Sequence, residues 1–277
     1  MKPFTVLILA VVGLFIGGSF FLALAQVNRI EKIAVVDPDQ ILKGGQGLEY
    51  SIEWLGFPVG RVIIKNIGLT NLKGRPCYLV VARSFPNRFI RRLYDLEYKV
   101  YSFIDAENFS SCRFFKIRRF GKQSNYTLID FDHKNKKATC RSWGLAKFVK
   151  ISKKNTESLE PKPTQEIDED IQDLLSAFFY IRLNSRKENS QFEIKVYYQQ
   201  ANWSLTVNTG QVFLREIKGK GSFPAIEVTV SSGLNEYILG RRKFLVTLTT
   251  ESRRVPLEFK IGTSLGFIRA IIRRLPD

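Results

Sequence analysis

Three patterns of apolar and polar positions follow one another along the chain. Phe4–Ala25 is an apolar run broken only by Thr5 and Ser19, with Lys2 the only charge ahead of it. From residue 47 onward short segments alternate with period two, and around residues 171–182 the period becomes that of a helix. A bilayer core takes roughly 20 apolar residues of helix to cross, so the first run predicts a helix that either anchors the chain or directs its export. Ala23-Leu24-Ala25 is a small-x-small site of the kind cleaved in signal peptides, yet the run is longer than such a peptide needs. A cleaved signal peptide and a retained membrane anchor over residues 1–25 therefore both stay open. Either one places residues 26–277 outside the cytoplasm.

Residues 26–45 are polar and broken by Asp37-Pro38 and Gly44-Gly45, which predicts a linker ahead of one domain over residues 46–277. The domain opens on strict alternation. Leu48, Tyr50, Ile52 and Trp54 share one face of a strand, while Glu49 and Glu53 take the solvent face. Gly56-Phe57-Pro58 turns the chain into a returning strand over Gly60–Leu69. Further strands are predicted at Tyr78–Arg83, Glu97–Ile104, Arg113–Phe120, Tyr126–Phe131, Phe192–Tyr198, Trp203–Asn208, Gln211–Lys218, Ala225–Val230, Phe244–Thr250, Leu257–Ile261 and Gly266–Arg273. Asn208-Thr209-Gly210 reads as a hairpin turn, and Asp132–Lys137 as a charged one. Short strands so closely spaced predict an antiparallel meander rather than βαβ units.

Ser152–Glu166, with Pro161 and Pro163, reads as a loop. Behind it Ile171, Leu174, Leu175, Phe178, Phe179 and Arg182 fall at the i, i+3, i+4, i+7 spacing of an amphipathic helix near residues 169–183, with Asp168 or Asp170 as its N-cap. Ile181 and Leu183 widen its apolar face until it needs a concave partner. The predicted fold is thus mainly β: one large curved antiparallel sheet, an open barrel or half-barrel, with the helix in or over its concave face. A second, short helix is predicted over Asn87–Tyr94, with Phe89, Ile90 and Leu93 on one side.

Charge narrows the range of partners. There are 43 Lys and Arg against 26 Asp and Glu, a formal +17, which attracts lipid headgroups, anionic wall polymers or nucleic acid. Arg-Arg pairs occur at residues 91–92, 118–119, 241–242, 253–254 and 273–274, and within a strand the two side chains of a pair diverge to opposite faces. A generally basic surface is expected. Arg113–Phe120 interleaves cations with aromatics as single-strand nucleic-acid binders do, but a strand with one core face gives the same pattern, and export removes nucleic acid from the expected partners.

No catalytic or metal motif is present, and no cofactor is expected. His133, the only histidine, lies in a hydrophilic turn. Cys77, Cys112 and Cys140 allow at most one intramolecular disulfide, with all three pairings open. Asp173 and Arg182 stand nine residues apart, too far to pair along one helix, so each is expected to pair with a residue of the sheet or to serve a site.

Several blocks together resemble a known family. Gly47–Gly60, Asp95–Ser102, Gln172–Arg182, Gly221–Ile226 and Ser252–Leu257 are similar to conserved stretches of the bacterial exported family known as domain of unknown function 3108, and the likeness runs from about residue 47 to 275. That resemblance implies a bacterial envelope location, periplasmic or on the outer face of the inner membrane, and an antiparallel β domain with a helix. It implies no activity. One departure stands out: where the family usually has an acidic residue before the arginine of the last block, this chain has Ser252 before Arg253.

The expected function is non-enzymatic binding of a lipid, lipoprotein or other amphipathic envelope component, by analogy with the half-barrels that carry lipoproteins (LolA-like). Acyl chains would lie against Tyr50, Ile52, Trp54, Phe178 and Phe179, with Asp173, Arg182 and Arg254 as the polar members of the site. The alternatives are a basic adaptor for anionic membrane or wall polymers and, behind it, a carboxylate-dependent hydrolase. If residues 4–25 are retained, they add membrane association.

Overall fold

The computed structural model describes residues 41–42, 44–45, 47–144, 164–185, 187–232, 244–263 and 266–275. The expected signal or anchor helix and most of the expected linker lie outside these residues, although Ile41 and Leu42, at the linker's end, are buried in the main core. Among the described residues no helix is long and apolar enough to cross a membrane.

The chain lays down β1 (Gly47–Trp54), β2 (Phe57–Leu72), β3 (Arg75–Pro86), α1 (Arg88–Leu93), β4 (Leu96–Asp105), β5 (Ser111–Phe120), β6 (Gln123–Asp132), β7 (Lys137–Gly144) and β8 (Gln165–Glu166). Then come α2 (Leu174–Asn184), β9 (Gln191–Tyr198), β10 (Ala201–Ile217), β11 (Gly221–Ser232), β12 (Phe244–Thr249), β13 (Pro256–Thr263) and β14 (Gly266–Arg274). All fourteen strands among the described residues belong to one sheet, in the order β8-β7-β6-β5-β4-β3-β2-β1-β14-β13-β12-β11-β10-β9. Each half is a meander of sequence neighbours. The halves meet where the first strand pairs with the last, Ile52 opposite Ala270 and Trp54 opposite Ile268.

The hydrogen bonds require this sheet to roll up. β7 and β9 are twelve strand steps apart in the order, which in a flat sheet would separate them by roughly 58 Å at ~4.8 Å per step. Yet the short segment between β8 and α2 is bonded to the residue just before β7 and to β9. The Ile167 amide donates to the Lys136 carbonyl at 2.9 Å, the Gln172 amide to Lys195 at 2.8 Å, and the Tyr197 amide to the Gln172 carbonyl at 2.8 Å. Asn202 on β10 reaches the Glu166 carbonyl at 3.1 Å. The two edges therefore face each other across one extended strap rather than pairing directly. Ile167 and Ile171 of the strap pack with Phe114, Ile129, Phe131, Ala138, Cys140 and Tyr197 in a second apolar cluster.

α2 fills the inside of the roll. Leu175, Ser176, Ala177, Phe178, Phe179, Ile181, Arg182 and Leu183 are all buried, and Tyr180 and Asn184 are half-buried. What the sequence presents as an amphipathic stripe is thus an apolar surface around most of the helix, because the sheet wraps it. The helix also begins at Leu174, later than expected, with Asp173 as cap in place of Asp168 or Asp170. The reason is local: the residues before it extend as the strap, and Asp170 sits in a turn at φ +53°.

Two other expectations change. Asn208-Thr209-Gly210 is no hairpin turn: β10 runs straight through it, and the register against β11 shifts between Thr209 and Val212. Such a bulge takes up extra residues without reversing the strand. β7, absent from the sequence reading, follows the Asp132–Lys137 turn directly, with the small Ala138 and Cys140 as its buried residues.

Candidate functional site

The residues expected to form a site separate into two groups at opposite ends of the roll. At the α2 end, Asp173 is buried as the helix N-cap. Its Oδ1 accepts the Leu175 and Ser176 amides at 2.7 and 2.9 Å, and its Oδ2 accepts Ser102 Oγ of β4 and Ser111 Oγ of β5 at 2.6 and 2.5 Å. Ser176 Oγ returns the cap by accepting the Asp173 amide at 2.9 Å. Burial raises the Asp173 carboxyl above its ordinary range, and these hydrogen bonds oppose it. Four donors on one carboxylate leave it holding the helix to the sheet, with little capacity for hydrolytic chemistry.

Arg182 stands at the other end of α2, equally buried. Its Nε donates to the Arg254 carbonyl at 3.1 Å and its Nη2 to the Arg253 carbonyl at 2.8 Å. The guanidinium lies 5.5 and 5.2 Å from the ring centres of Phe178 and Phe179, a favourable cation–π geometry. Burial pushes its pKa down to about 10. Among the described residues neither Asp173 nor Arg182 has an opposite charge as partner, which corrects the expected ion pairs. Hydroxyls, amides, carbonyls and ring faces serve instead. Because Arg182 is met by main-chain carbonyls, the departure at Ser252-Arg253 does not remove its partners. Arg254 is itself buried, at φ +42°, and its Nη1 donates to the Thr249 carbonyl at 3.3 Å.

Tyr50, Ile52, Phe178 and Phe179 come together around this helix. Tyr50 Oη donates to the Pro256 carbonyl at 3.0 Å, and its ring meets Phe259 edge-on at 5.2 Å. Phe178 packs on Phe259 at 5.5 Å and on Phe179 at 5.0 Å. These rings fill a core. Trp54 packs on the edge of the same core, half-buried toward the opposite end, beside the β1–β2 turn.

That opposite end holds the residues that sequence reasoning missed. Phe114 of β5 is buried facing inward, between Ser102 and Ile129, so Lys116 and Arg118, two and four residues on, face inward as well. Lys116 lies between Val100 and Thr127, and Arg118 between Tyr98 and Asn125. Both are half-buried. Burial lowers the Lys116 ammonium and raises the Tyr98 hydroxyl, which interacts with Arg118. Around them the inward-facing Trp54, Ala82, Val100, Phe120 and Tyr198 are half-buried, whereas Leu48, Tyr50, Ile64, Val80, Ile104 and Phe114, nearer α2, are buried. The inner face is therefore closely packed near α2, while at the other end these half-buried side chains stand beside buried ones such as Leu96, Tyr98 and Ile268. The signal was available in Arg113–Phe120, where alternation from Phe114 puts two cations on the core side.

The outer face pairs its charges unevenly. Glu97 is shared by Arg83, Arg91 and Arg119; Glu49 by Arg61 and Arg273; Asp130 by Arg113 and Arg141; Glu258 by Arg215 and Arg269. His133 is tied down rather than free in its turn: its half-buried Nε2 donates to the Ser111 carbonyl at 2.7 Å and lies 3.2 Å from Ser110 Oγ. Among the described residues no group of three or more His, Cys, Asp or Glu is placed to hold a metal.

No curated protein matches the chain. Among solved structures, a beta-barrel-like protein of domain of unknown function DUF1849 from Brucella abortus superposes with a TM-score of 0.53 at 10% identity, over 83% of this chain and 96% of that one. That likeness supports the barrel-like fold and nothing finer. A Bacteroides fragilis protein of YmcC-like fold, provisionally described as exported, is 7% identical with a TM-score of 0.27, over 84% of this chain and 95% of that one. In sequence, residues 49–273 match the family described as protein of unknown function, DUF3108. With nearly all of the rolled sheet inside that match, the chain belongs to the DUF3108 family.

Proposed function

We propose that this protein is an exported, non-enzymatic protein of the bacterial envelope that binds an amphipathic molecule with an acidic group in the half-covered end of the rolled sheet. The observation that supports this most is the inward placement of Lys116 on a largely apolar face. Holding an ammonium away from water without an acid partner is costly, and among the described residues no carboxylate lies within ion-pair distance of Lys116. A ligand's carboxylate or phosphate would supply that partner, while its acyl part lies against Trp54, Val100 and Phe120. Tyr50, Ile52, Phe178 and Phe179 then form the floor beneath the ligand, and Asp173, Arg182 and Arg254 fix the helix that makes the floor solid.

Organic extraction of the purified protein followed by lipid mass spectrometry tests the proposal, together with titration of a fluorescent fatty acid. The expected result is a co-purified acidic lipid and probe binding that falls about tenfold in Lys116→Gln, the loss of one charge-assisted contact. Absence of both co-purified lipid and probe binding would overturn it.

A second reading is favoured by the outer face, where each shared carboxylate serves two or three arginines and leaves positive charge over. On that reading the protein is an adaptor for anionic membrane or wall polymers. Its binding would weaken steeply with salt, whereas acyl binding would hardly respond.

A further inference from the structure

Large apolar side chains gather on the outside of the half-covered end. Leu55 lies in the β1–β2 turn with Phe57 just after it, Phe89 and Leu93 lie one turn apart on α1, and Phe267 is the second residue of β14; they are between 52% and 73% exposed. Three sets of contacts bring these elements together. Leu55 lies against Gly266, where φ is +105° and a side chain would meet Leu55 Cδ2 at 2.6 Å. Asn87, the N-cap of α1, receives its own cap from the Ile90 amide at 2.8 Å and sends its Nδ2 to the Pro58 carbonyl at 2.5 Å. Its amide also reaches the Val59 carbonyl at 2.9 Å.

α1 explains how its aromatic comes to face water. The sequence puts Phe89, Ile90 and Leu93 on one side, but only Ile90 turns inward. Phe89 and Leu93, at i and i+4, face outward, and beside them run Arg88 and Arg92 at the same spacing, both exposed. Arg91 is paired with Asp95 and Glu97. Among the described residues no acid lies within ion-pair distance of Arg88 or Arg92. Lys122 is exposed in the neighbouring β5–β6 turn, which the Gly121 amide ties to the Asp95 carbonyl at 2.8 Å. Lys260 lies 4.2 Å from the centre of the Phe267 ring.

We infer that this end of the molecule docks on an anionic lipid bilayer, its apolar side chains entering the interface while Arg88, Arg92 and Lys122 meet the headgroups. The chemistry is that of an interfacial membrane site: rigidly held aromatic and aliphatic tips beside unpaired cations. Apolar tips alone would suit another protein equally well. The adjoining cations, on a chain of formal charge +17, fit a negatively charged surface. This inference stands apart from the ligand proposal, since its residues lie outside the roll.

The three native cysteines are buried, so a polarity-sensitive dye can be placed at Phe57→Cys or Leu93→Cys. Glu107→Cys, exposed in the β4–β5 turn at the far end, serves as control. The full chain is mixed with vesicles of phosphatidylethanolamine and phosphatidylglycerol, with and without brominated acyl chains. The expected result is a blue shift and bromine quenching at positions 57 and 93, none at 107, and loss of the response in Arg88→Ser/Arg92→Ser or in vesicles without phosphatidylglycerol. Equal responses at both ends, or none at 57 and 93, would overturn the inference. So would a blue shift that needs no vesicles and grows with protein concentration, which would mark contact with a second copy. A protein that docks but carries no lipid would refute the ligand proposal and leave this one standing.

Discussion

Around α2, Asp173 and Arg182 are buried among serine hydroxyls, amides, carbonyls and aromatic faces, whereas at the other end of the same roll Lys116 looks into an interior that is only half covered. The difference teaches how to tell a structural charge from an available one. Asp173 and Arg182 carry the chemistry that draws attention in the sequence, but the protein itself supplies their partners. Lys116 draws none in the sequence and has capacity left for a ligand.

Substitutions and conditions that act on one end alone would sharpen this contrast. The largest effect is expected from Phe178→Ala, which empties a site touching Phe179, Phe259 and Arg182; a loss of about 3–5 kcal/mol should appear in urea or thermal unfolding. Should stability hold while ligand binding falls, the α2 end would be a site rather than a core.

Next comes oxidation of the Cys77–Cys112 pair. Their sulfurs are 3.4 Å apart across a sequence separation of 35, and an exported chain would meet oxidising conditions. A disulfide there, seen as a loss of about 2 Da in the intact mass with Cys140 still alkylatable, should stabilise the fold by roughly 3–4 kcal/mol. Alkylation of all three thiols in protein purified from the envelope would refute the pairing.

Asp173→Ala should cost about 2 kcal/mol, through loss of the cap and of two serine partners. Asp173→Asn should cost far less, since an amide can accept from Leu175 and Ser176 and donate to the serines. The pH dependence follows from the raised carboxyl. The folded form holds its proton more tightly than the unfolded form, whose ordinary value is 3.8. The wild type therefore gains stability relative to Asp173→Asn as pH falls through the folded-state value toward 3.8, and the difference between the two stays constant above that window. Parallel urea titrations at neutral and acidic pH check the sign.

The smallest stability effects belong to the half-covered end. Phe89→Ser/Leu93→Ser should leave unfolding within about 0.5 kcal/mol of wild type, and Lys116→Gln, which relieves a poorly solvated ammonium, should not lower it, while the two change membrane response and ligand binding respectively. A large loss of stability from either would erase the contrast between the two ends.

Much of the sheet was legible in the sequence because alternation survives wherever one face packs inward, as in Leu48-Tyr50-Ile52. Helix α2 was legible through its apolar spacing, but its start was not, because Asp168 and Asp170 look like caps until the strap claims the residues before Leu174. β7 escaped notice because its buried residues are small. The strap itself has no periodicity, and its pairing with both sheet edges depends on a roll that no local pattern encodes. Lys116 and Arg118 were hidden by a general expectation that cations face water; only the register through Phe114 turns them inward. α1 was found, but its exposed Phe89 and Leu93 contradict the usual inference that apolar spacing marks a buried face.

The meeting of β1 with β14 has a consequence for how the molecule is made. β1 through β8 can pair as they emerge, and β9 through β14 likewise, but the seam between these halves joins residues near 50 to residues near 270. Because the chain is made amino end first, β1 stands without its second neighbour until β14 has arrived. Such long-range pairing is slow and leaves an exposed strand edge in the interval. β14 is thus a gate on assembly: without Ile268–Arg274 the chain would keep two meanders and lose the join that makes them one sheet.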